Sequence, residues 1–263
     1  MLRRARHGGV TAVLRWPMAY QLHYWPGIQG RGEFVRLALE AAGAPYVDIA
    51  RGSEDDDAGL PAMLHYLQDA SVQRPPFASP FLVDGKTVIG QTAAILLYLG
   101  PRLKLAPARE ADALWLHQIQ LTLADLVTEV HDLHHPIGSS LHYEDQKKEA
   151  LRRAEDFRKN RLPKFLHWCE AVLARNPANA GRERPHMVGA RLTYADLSLF
   201  QVVAGLLYAL PKATRRTLRR TPLVAALHAG VPRHKRLAAY LASERRLAFN
   251  EQGIFRSYPD LDG

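Results

Sequence analysis

Four residues between Ser79 and Thr92 have types and spacings that suit the binding of a small peptide. Pro80 stands where a loop meets a strand, a place where a cis peptide bond is tolerated, and it leaves the backbone of Ser79 free to pair with an extended chain. Gln91 and Thr92 open a helix, whose first N–H groups and positive dipole end attract a carboxylate. The stretch therefore predicts a site for a small peptide with an acidic end.

Short strands and helices must position these residues. The segment 79–100 predicts a strand, a tight turn at Asp84-Gly85, a second strand and a helix. Upstream, the pattern predicts a strand, a helix and a strand at residues 21–24, 31–42 and 46–50. A β-α-β unit followed by a β-turn-β-helix predicts a small mixed sheet with helices.

The rest of the chain is predicted to be helical. After a linker at 101–107, apolar residues recur at helical spacing over residues 110–134, 143–176, 194–210, 222–229 and 234–243. Pro163 lies inside the second of these patterns and predicts a kink there. Thr193 is predicted to cap the third helix, with the Asp196 side chain returning the bond as a capping box. In the first half, residues 51–77 show only a short helical pattern at 60–67.

Composition limits the class of protein. With 263 residues, 47% of them hydrophobic, the chain is long enough for two domains with a buried core. Its single cysteine, Cys169, excludes an internal disulfide and favours a reducing compartment. It has no run of about 18 apolar residues, so we expect no membrane span. The net charge of +9 would suit nucleic acid or an anionic surface, but it is unevenly placed.

Part of that charge lies in residues 1–17, which contain four arginines and no acid. Such a leader is typical of an organelle-targeting segment, or of an extension that is disordered or mis-assigned at its start codon. We favour the second interpretation and exclude residues 1–17 from the fold. Other basic residues are interleaved with apolar helical positions, so we interpret them as solvated helix faces rather than a nucleic-acid stripe. They are Arg215, Arg216, Arg219, Arg220 and the run 234–236.

In order and spacing, several short motifs resemble those of the cytosolic glutathione transferases of the tyrosine type (alpha/mu/pi/sigma-like). The motifs are Tyr24-Trp25-Pro26, Gly30-Arg31, Ser79-Pro80-Phe81, Gln91-Thr92 and the capped helix start at 193–196. The resemblance extends from Met18 to about Asp260. It implies a thioredoxin-like, glutathione-binding α+β domain over residues 18–100, followed by an all-helical domain over 108–263 with an electrophile pocket.

The resemblance gives Tyr24 a chemical role. The thiol of glutathione has a pKa of about 8.5 and is mostly protonated at neutral pH, whereas the thiolate is the nucleophile. A phenol O–H donated from Tyr24 to the sulfur would stabilise the anion, and Arg31 would add positive potential. Without the resemblance, Tyr24 would be taken for an ordinary strand tyrosine; Tyr20 is the rival candidate. Residues 24–33 contain no Ser or Cys that could replace it.

The resemblance also implies how glutathione is held. Gln91 and Thr92 would bind the γ-glutamyl carboxylate, although Thr92 could be a plain helix cap, and the backbone of Ser79 before Pro80 would pair with the cysteinyl part. Asp125 would reach the γ-glutamyl amine in the partner subunit of a homodimer, or would be an ordinary solvated helix acid. No Trp or Lys lies between Pro26 and Ser79 to bind the glycyl end, which leaves Arg51, His65 and Arg74 as candidates.

Two further features suggest other chemistry and are interpreted otherwise. His131, His134 and His135 could share a metal, but they lack the H-E-x-x-H pattern and a companion Cys, so we expect them to line the second-substrate pocket or the surface. Cys169 is predicted to be a small packed residue without a redox role.

We therefore predict a cytoplasmic, homodimeric glutathione transferase that conjugates the glutathione thiolate to hydrophobic electrophiles in detoxification. Glutathione is the co-substrate, and no metal, nucleic acid or membrane is expected as a partner. Two alternatives share the fold. One is a non-catalytic protein that binds glutathione or another ligand, or serves in assembly, and the other is a glutathione-dependent peroxidase.

Overall fold

A computed structural model describes residues 19–263, which divide into two compact units. The described part of the first unit comprises 19–26 and 44–91, and the second comprises 27–43 and 92–263. The predicted extension at 1–17 lies outside the described residues. The domain limits 18–100 and 108–263 follow chain order and stay a prediction.

The first unit is built on a four-stranded mixed sheet in the order β2-β1-β3-β4. Its strands are β1 (Tyr20–His23), β2 (Tyr46–Asp48), β3 (Phe81–Asp84) and β4 (Thr87–Gly90). β1 is parallel to β2 and antiparallel to β3, and β3 and β4 form the predicted hairpin. The mixed sheet predicted from the sequence is confirmed.

One helix of the first unit covers a face of this sheet. α2 (Gly59–Gln68) confirms the helical pattern at 60–67, and it buries Met63 against Phe81 and Val83. β2 is shorter than the predicted strand at 46–50, because the chain turns into a 3₁₀-helix at Ile49–Arg51.

The second unit contains ten helices among the described residues. They are α1 (Gly32–Ala42), α3 (Thr92–Arg102), α4 (Glu110–His131), α5 (Lys147–Asp156), α6 (Leu162–Arg175), α7 (Tyr194–Ala209), α8 (Pro211–Leu218), α9 (Pro222–Gly230), α10 (Lys235–Leu241) and α11 (Pro259–Asp262). α1 ends at Gly43, whose φ of 67° is left-handed and therefore favours glycine. No helix within residues 19–263 combines the length and apolar character needed to cross a bilayer.

The long helical pattern at 143–176 is interrupted as predicted, by a π-helical segment rather than a simple kink. Phe157–Arg161 forms that segment, and Pro163 follows as the second residue of α6. A proline has no N–H and its ring crowds the carbonyl four residues earlier, so it is tolerated where the α-helical ladder is already broken. The π-helical turn accommodates Pro163 between two helices.

The capping box at Thr193 is confirmed. The Asp196 carboxylate accepts hydrogen bonds from the backbone N–H of Thr193 at 2.7 Å and from that of Met187 at 2.6 Å. The N–H of Asp196 donates in turn to the Thr193 hydroxyl. α7 is buried along most of its length, and it contributes to a hydrophobic core within the helical unit.

Candidate functional site

Within the first unit, strand pairing brings three of the predicted site residues to one end of the sheet. His23 pairs with Phe81, and Phe81 pairs with Gly90. At this end of the sheet, Tyr24 follows His23, Pro80 precedes Phe81 and Gln91 follows Gly90. The Ser79-Pro80 peptide bond is cis. The register alone therefore brings the backbone of Tyr24, Ser79 and Gln91 to the same end of the sheet.

Tyr24 differs from Tyr20 in position and exposure. Tyr24 follows the last residue of β1 and is 4% exposed. Tyr20 is the first residue of β1, at the far end of the strand, where it pairs with Tyr46. A buried phenol O–H at a strand end is a fixed dipole in a low-dielectric setting, which is the setting in which a single donor stabilises an anion best.

Gln91 has an unusual backbone. Its φ is 65°, in the left-handed region, and its side chain is exposed. For a residue with a Cβ, that conformation costs about 1 to 2 kcal/mol of free energy. Thr92, the next residue, begins α3, whose first backbone N–H groups have no partner inside the helix. This conformation turns the chain directly into a helix N-terminus that favours negative charge.

In the second unit, Arg31 and Thr92 lie side by side. Arg31 directly precedes α1 and is half-buried, and the Thr92 hydroxyl donates to its carbonyl oxygen at 3.5 Å. The contact joins the start of α3 to the backbone of Arg31, so a residue with a positive side chain adjoins a helix N-terminus that favours negative charge. Such an arrangement would suit the carboxylates or the developing thiolate of a peptide ligand.

A buried ionic network holds the start of α1, and sequence reasoning missed it. Glu33 and Arg36 are fully buried, 3.5 Å apart. The Glu33 carboxylate also accepts hydrogen bonds from Arg246 at 2.7 Å and from the Tyr240 hydroxyl at 2.9 Å. Because Glu33 and Arg36 are polar, the hydrophobic periodicity of α1 gave no sign that they face inward.

The same C-terminal segment fixes the loop before α1. The buried Gln29 side chain donates to the carbonyl of Leu247 at 2.5 Å and accepts from Gln201 at 2.7 Å. The Gln201 side-chain oxygen in turn accepts a hydrogen bond from Arg246 at 3.0 Å. Asn250 donates to the carbonyl of Gly27 at 3.0 Å. The loop that carries Arg31 is therefore tied at several points to residues more than 170 positions away.

The candidates for the glycyl end lie in two places. Arg51 follows β2 and forms an ion pair with Asp48 at 3.3 Å, at the end of the parallel pair where Tyr24 also lies. Arg74 and His65 line a cavity with Gly85 and Lys86 of the β-hairpin turn. That turn is at the opposite end of β3 and β4 from Phe81 and Gly90. The cavity also reaches His23, at the end of β1 next to Tyr24, so Arg51 and Arg74 both remain candidates.

Asp125 lies on α4 with an exposed side chain. Its carboxylate is accessible in the single chain, as a contact with a partner subunit requires. Its predicted role across a dimer stays a prediction.

The three histidines at the end of α4 form one cluster. Their rings lie 4.8 to 5.3 Å apart between centroids, and His134 is hydrogen-bonded to the carbonyl of Ile254 at 2.8 Å. Burial lowers the pKa of His131, and the nearby charges of Arg31 and Arg256 lower it further, against the opposing effect of the hydrogen bond that His131 donates to Asp132. Burial lowers the pKa of His134 to about 3. The cluster is thus uncharged at neutral pH and close to Arg31.

Within residues 19–263 no group of three or more His, Cys, Asp or Glu side chains is arranged to hold a metal ion. Cys169 is fully buried in the helical core, and burial raises the pKa of its thiol to about 12. Its prediction as a small packed residue is confirmed.

Part of the second unit is similar to a known protein family. Residues 131–244 match the family model described as "Glutathione S-transferase, C-terminal domain". The matched region runs from the last residue of α4 past α10. This part of the helical unit is therefore similar to the C-terminal domain of glutathione S-transferases, which are enzymes.

Particular proteins resemble a larger part of the chain. A glutathione S-transferase of Plasmodium falciparum (isolate 3D7) is 25% identical over 181 residues, which are 68% of this chain and 76% of the relative. A solved Pi-class glutathione S-transferase of Onchocerca volvulus superposes with a TM-score of 0.65 at 24% identity, over 90% of this chain and 99% of that one. Prostaglandin synthase D of Nilaparvata lugens superposes with a TM-score of 0.64 at 17% identity, over 88% and 100%.

The two solved structures establish the fold. They confirm the predicted class, an α+β N-terminal part followed by an all-helical part. The family model and the Plasmodium relative support glutathione transferase activity in general. The tyrosine type and the roles of individual residues stay predictions.

Proposed function

We propose that the protein is a glutathione transferase in which the Tyr24 hydroxyl stabilises the glutathione thiolate. The observation that carries this proposal is the strand register of the first unit, which gathers Tyr24, the backbone of Ser79 and Gln91 at one end of the sheet. The family model and the Plasmodium relative support the class of reaction. Burial of Tyr24 to 4% exposure supports its role as an anion-stabilising donor.

Binding of glutathione is assigned to the residues around that sheet end. The backbone of Ser79, beside Pro80, pairs with the cysteinyl part of glutathione as an added strand would. Gln91 and the N-terminus at Thr92 hold the γ-glutamyl carboxylate. Arg51, which follows β2, and Arg74, whose cavity reaches His23, are the two arginine candidates for the glycyl carboxylate.

The chemical step is a nucleophilic attack by sulfur. Glutathione loses its thiol proton to solvent, and the thiolate accepts a hydrogen bond from Tyr24 while Arg31 supplies positive potential. The sulfur lone pair then forms a C–S bond to the electrophile, and the electron pair leaves with the departing group or moves to the far end of a polarised double bond. Tyr24 returns unchanged, so no covalent intermediate with the protein is formed.

We also propose the setting of this reaction. The electrophiles are small and hydrophobic and are received by the helical part of the chain, near the uncharged histidines at the end of α4. The protein acts in detoxification, in the cytoplasm, as a homodimer. A single buried cysteine is compatible with a reducing compartment, and Asp125 is accessible for a partner's glutathione.

The deciding experiment compares Tyr24→Phe with the wild type, with Tyr20→Phe as the matched control. The thiol pKa of bound glutathione is read from thiolate absorbance, and kcat/KM is measured with 1-chloro-2,4-dinitrobenzene. Loss of one preorganised donor typically costs about 100- to 1000-fold in rate, so we expect a fall of that order for Tyr24→Phe and little change for Tyr20→Phe. Reduction of a hydroperoxide uses the same thiolate and is measured in parallel.

Two results would count against the proposal. If wild-type protein binds glutathione without lowering its thiol pKa, the protein is a binder and not a transferase. If Tyr20→Phe is impaired and Tyr24→Phe is not, the hydroxyl has been assigned to the wrong tyrosine.

A further inference from the structure

A second cavity, of about 550 Å³, lies in the helical unit between the loop before α7 and the chain leading from α9 into α10. Three arginines line it: Arg182, Arg184 and Arg191. His186 and His234 also face it. None of these residues belongs to the candidate glutathione site described above, so the cavity calls for an explanation of its own.

Local structure fixes the walls of this cavity. The Asp196 carboxylate holds the backbone N–H groups of Met187 and Thr193, which anchors both ends of the segment that carries Arg191. On the opposite wall Gly230 allows a close approach, because a Cβ there would lie 3.0 Å from Cγ of Arg184. The aliphatic stem of Arg184 therefore lies flat against α9.

The positive charge in the cavity is compensated only in part by its own acids, among which Glu183 has its pKa lowered by Arg233 and also by the charge of Arg184. Two carboxylates line it, those of Glu183 and Asp196. Glu183 is ion-paired with Arg233 at 2.6 Å. Asp196 is fully buried, its carboxylate accepts hydrogen bonds from backbone N–H groups and the Thr193 hydroxyl, and it lies 3.3 Å from Nδ1 of His186. Within residues 19–263, neither Arg184 nor Arg191 forms a hydrogen bond or a close ion pair.

We propose that this cavity binds a small organic anion that carries a phosphate or sulfate group on an apolar body. Guanidinium groups pair with such oxyanions in bidentate fashion, and Arg184 and Arg191 are available for that contact. Leu192, Leu227 and Val231 supply an apolar wall for the body. The volume is within the range of about 300 to 1000 Å³ usual for small-molecule sites.

The test uses three probes that separate charge from apolar contact: 1-naphthyl phosphate, neutral 1-naphthol and inorganic phosphate. Binding is measured by titration calorimetry without glutathione, so the result does not depend on transferase activity. The variants are Arg184→Gln and Arg191→Gln. Arg216→Gln, an exposed arginine on α8 that lies outside the cavity, is the matched control.

We expect 1-naphthyl phosphate to bind more tightly than either other probe, and its affinity to fall as salt is raised. Because a charge-assisted hydrogen bond contributes strongly to binding, each cavity variant should weaken the affinity for 1-naphthyl phosphate by about tenfold or more. The affinity of Arg216→Gln should not change. Affinity for 1-naphthol should be the same in all variants. Thermal unfolding verifies that the variants remain folded, as expected for exposed side chains.

Several outcomes would overturn the proposal. One is absence of 1-naphthyl phosphate binding, and another is equal loss of affinity in Arg216→Gln, which would indicate general attraction to a basic surface. Inorganic phosphate binding as tightly as the naphthyl ester would exclude the apolar contact. Competition by short duplex DNA at equal phosphate concentration, abolished by the cavity variants, would make this a nucleic-acid surface instead.

Discussion

Replacing Arg246 with methionine removes one side of the buried ionic network at the start of α1. In the native protein Arg246 contacts the fully buried Glu33 carboxylate at 2.7 Å and the Gln201 amide at 3.0 Å. Its own side chain is only 10% exposed. Methionine keeps most of the apolar stem, so the change mainly deletes the charge and its hydrogen bonds.

The expected cost follows from what Glu33 retains. Removing one partner of a buried ion pair costs about 3 to 5 kcal/mol, because a buried charge loses its compensation. Glu33 keeps the Tyr240 hydroxyl at 2.9 Å and Arg36 at 3.5 Å, which places Arg246→Met near the lower end, at about 3 kcal/mol. For a chain of this length, that corresponds to a fall in Tm of about 6 to 12 °C.

Arg245 provides the matched control. Arg245 pairs with Glu40, which lies on α1 as Glu33 does, but the Arg245 side chain is 60% exposed. Solvent screening reduces such a pair to about 1 kcal/mol or less, so Arg245→Met should be close to wild type. Urea unfolding gives the free energy of unfolding for both variants, for Glu33→Gln and for Glu33→Gln combined with Arg246→Met.

The combined variant tests whether the two groups act as a pair. A neutral glutamine needs no compensating charge, so the cost of the double change should fall short of the sum of the single costs by about 1 kcal/mol or more. Equal costs for Arg246→Met and Arg245→Met, or costs for Glu33→Gln and Arg246→Met that simply add, would refute the reasoning.

Three further predictions concern single residues. Gln91→Gly relieves the left-handed φ of 65°, so stability should hold to within about 1 kcal/mol of wild type while KM for glutathione rises about tenfold, as steady-state kinetics would show. Burial lowers the pKa of His23 to about 3, so His23 destabilises the fold when pH falls below 6.5; from pH 7 to pH 5 the wild type should lose about 2 kcal/mol relative to His23→Leu in urea titrations. Burial raises the pKa of Cys169 to about 12, so above pH 9 the wild type should lose up to about 1.4 kcal/mol per pH unit relative to Cys169→Ala, and the native thiol should not react with Ellman's reagent.

Each of these has a result that contradicts it. Unchanged KM in Gln91→Gly would remove the Gln91 side chain from glutathione binding. Parallel pH profiles for wild type and His23→Leu would mean that His23 is hydrated in solution. Rapid labelling of Cys169 without unfolding would show that the helical core opens locally.

Patterns that repeat along the chain were readable from the sequence. The strands, the hairpin, the long helices and the Thr193 cap depend on local spacing and local hydrogen bonds, and the structure has them. α8 was not predicted, because its buried residues are Ala213, Thr214 and Thr217, which give a weak apolar signal. Its first N–H groups are capped by Asp262, about 50 residues later, which no local pattern reveals.

The candidate site divides in the same way. The sequence motifs placed Tyr24, Ser79 and Gln91 in short segments whose strand pairing then brought them together. What holds Arg31 in place could not be read, since its loop depends on Gln201, Leu247 and Asn250 from distant parts of the chain. The left-handed φ of Gln91 also gave no sequence signal, because glycine is the residue expected there.

The network at α1 also determines when this helix can reach its final packing during synthesis in the cell. Tyr240 and Arg246 follow Glu33 by 207 and 213 residues. At a translation rate of about 5 to 20 residues per second, about ten to forty seconds pass between synthesis of the carboxylate and of its arginine. During that interval a charged Glu33 stays in water rather than buried, so α1 should reach its final packing only after nearly the whole chain has left the ribosome.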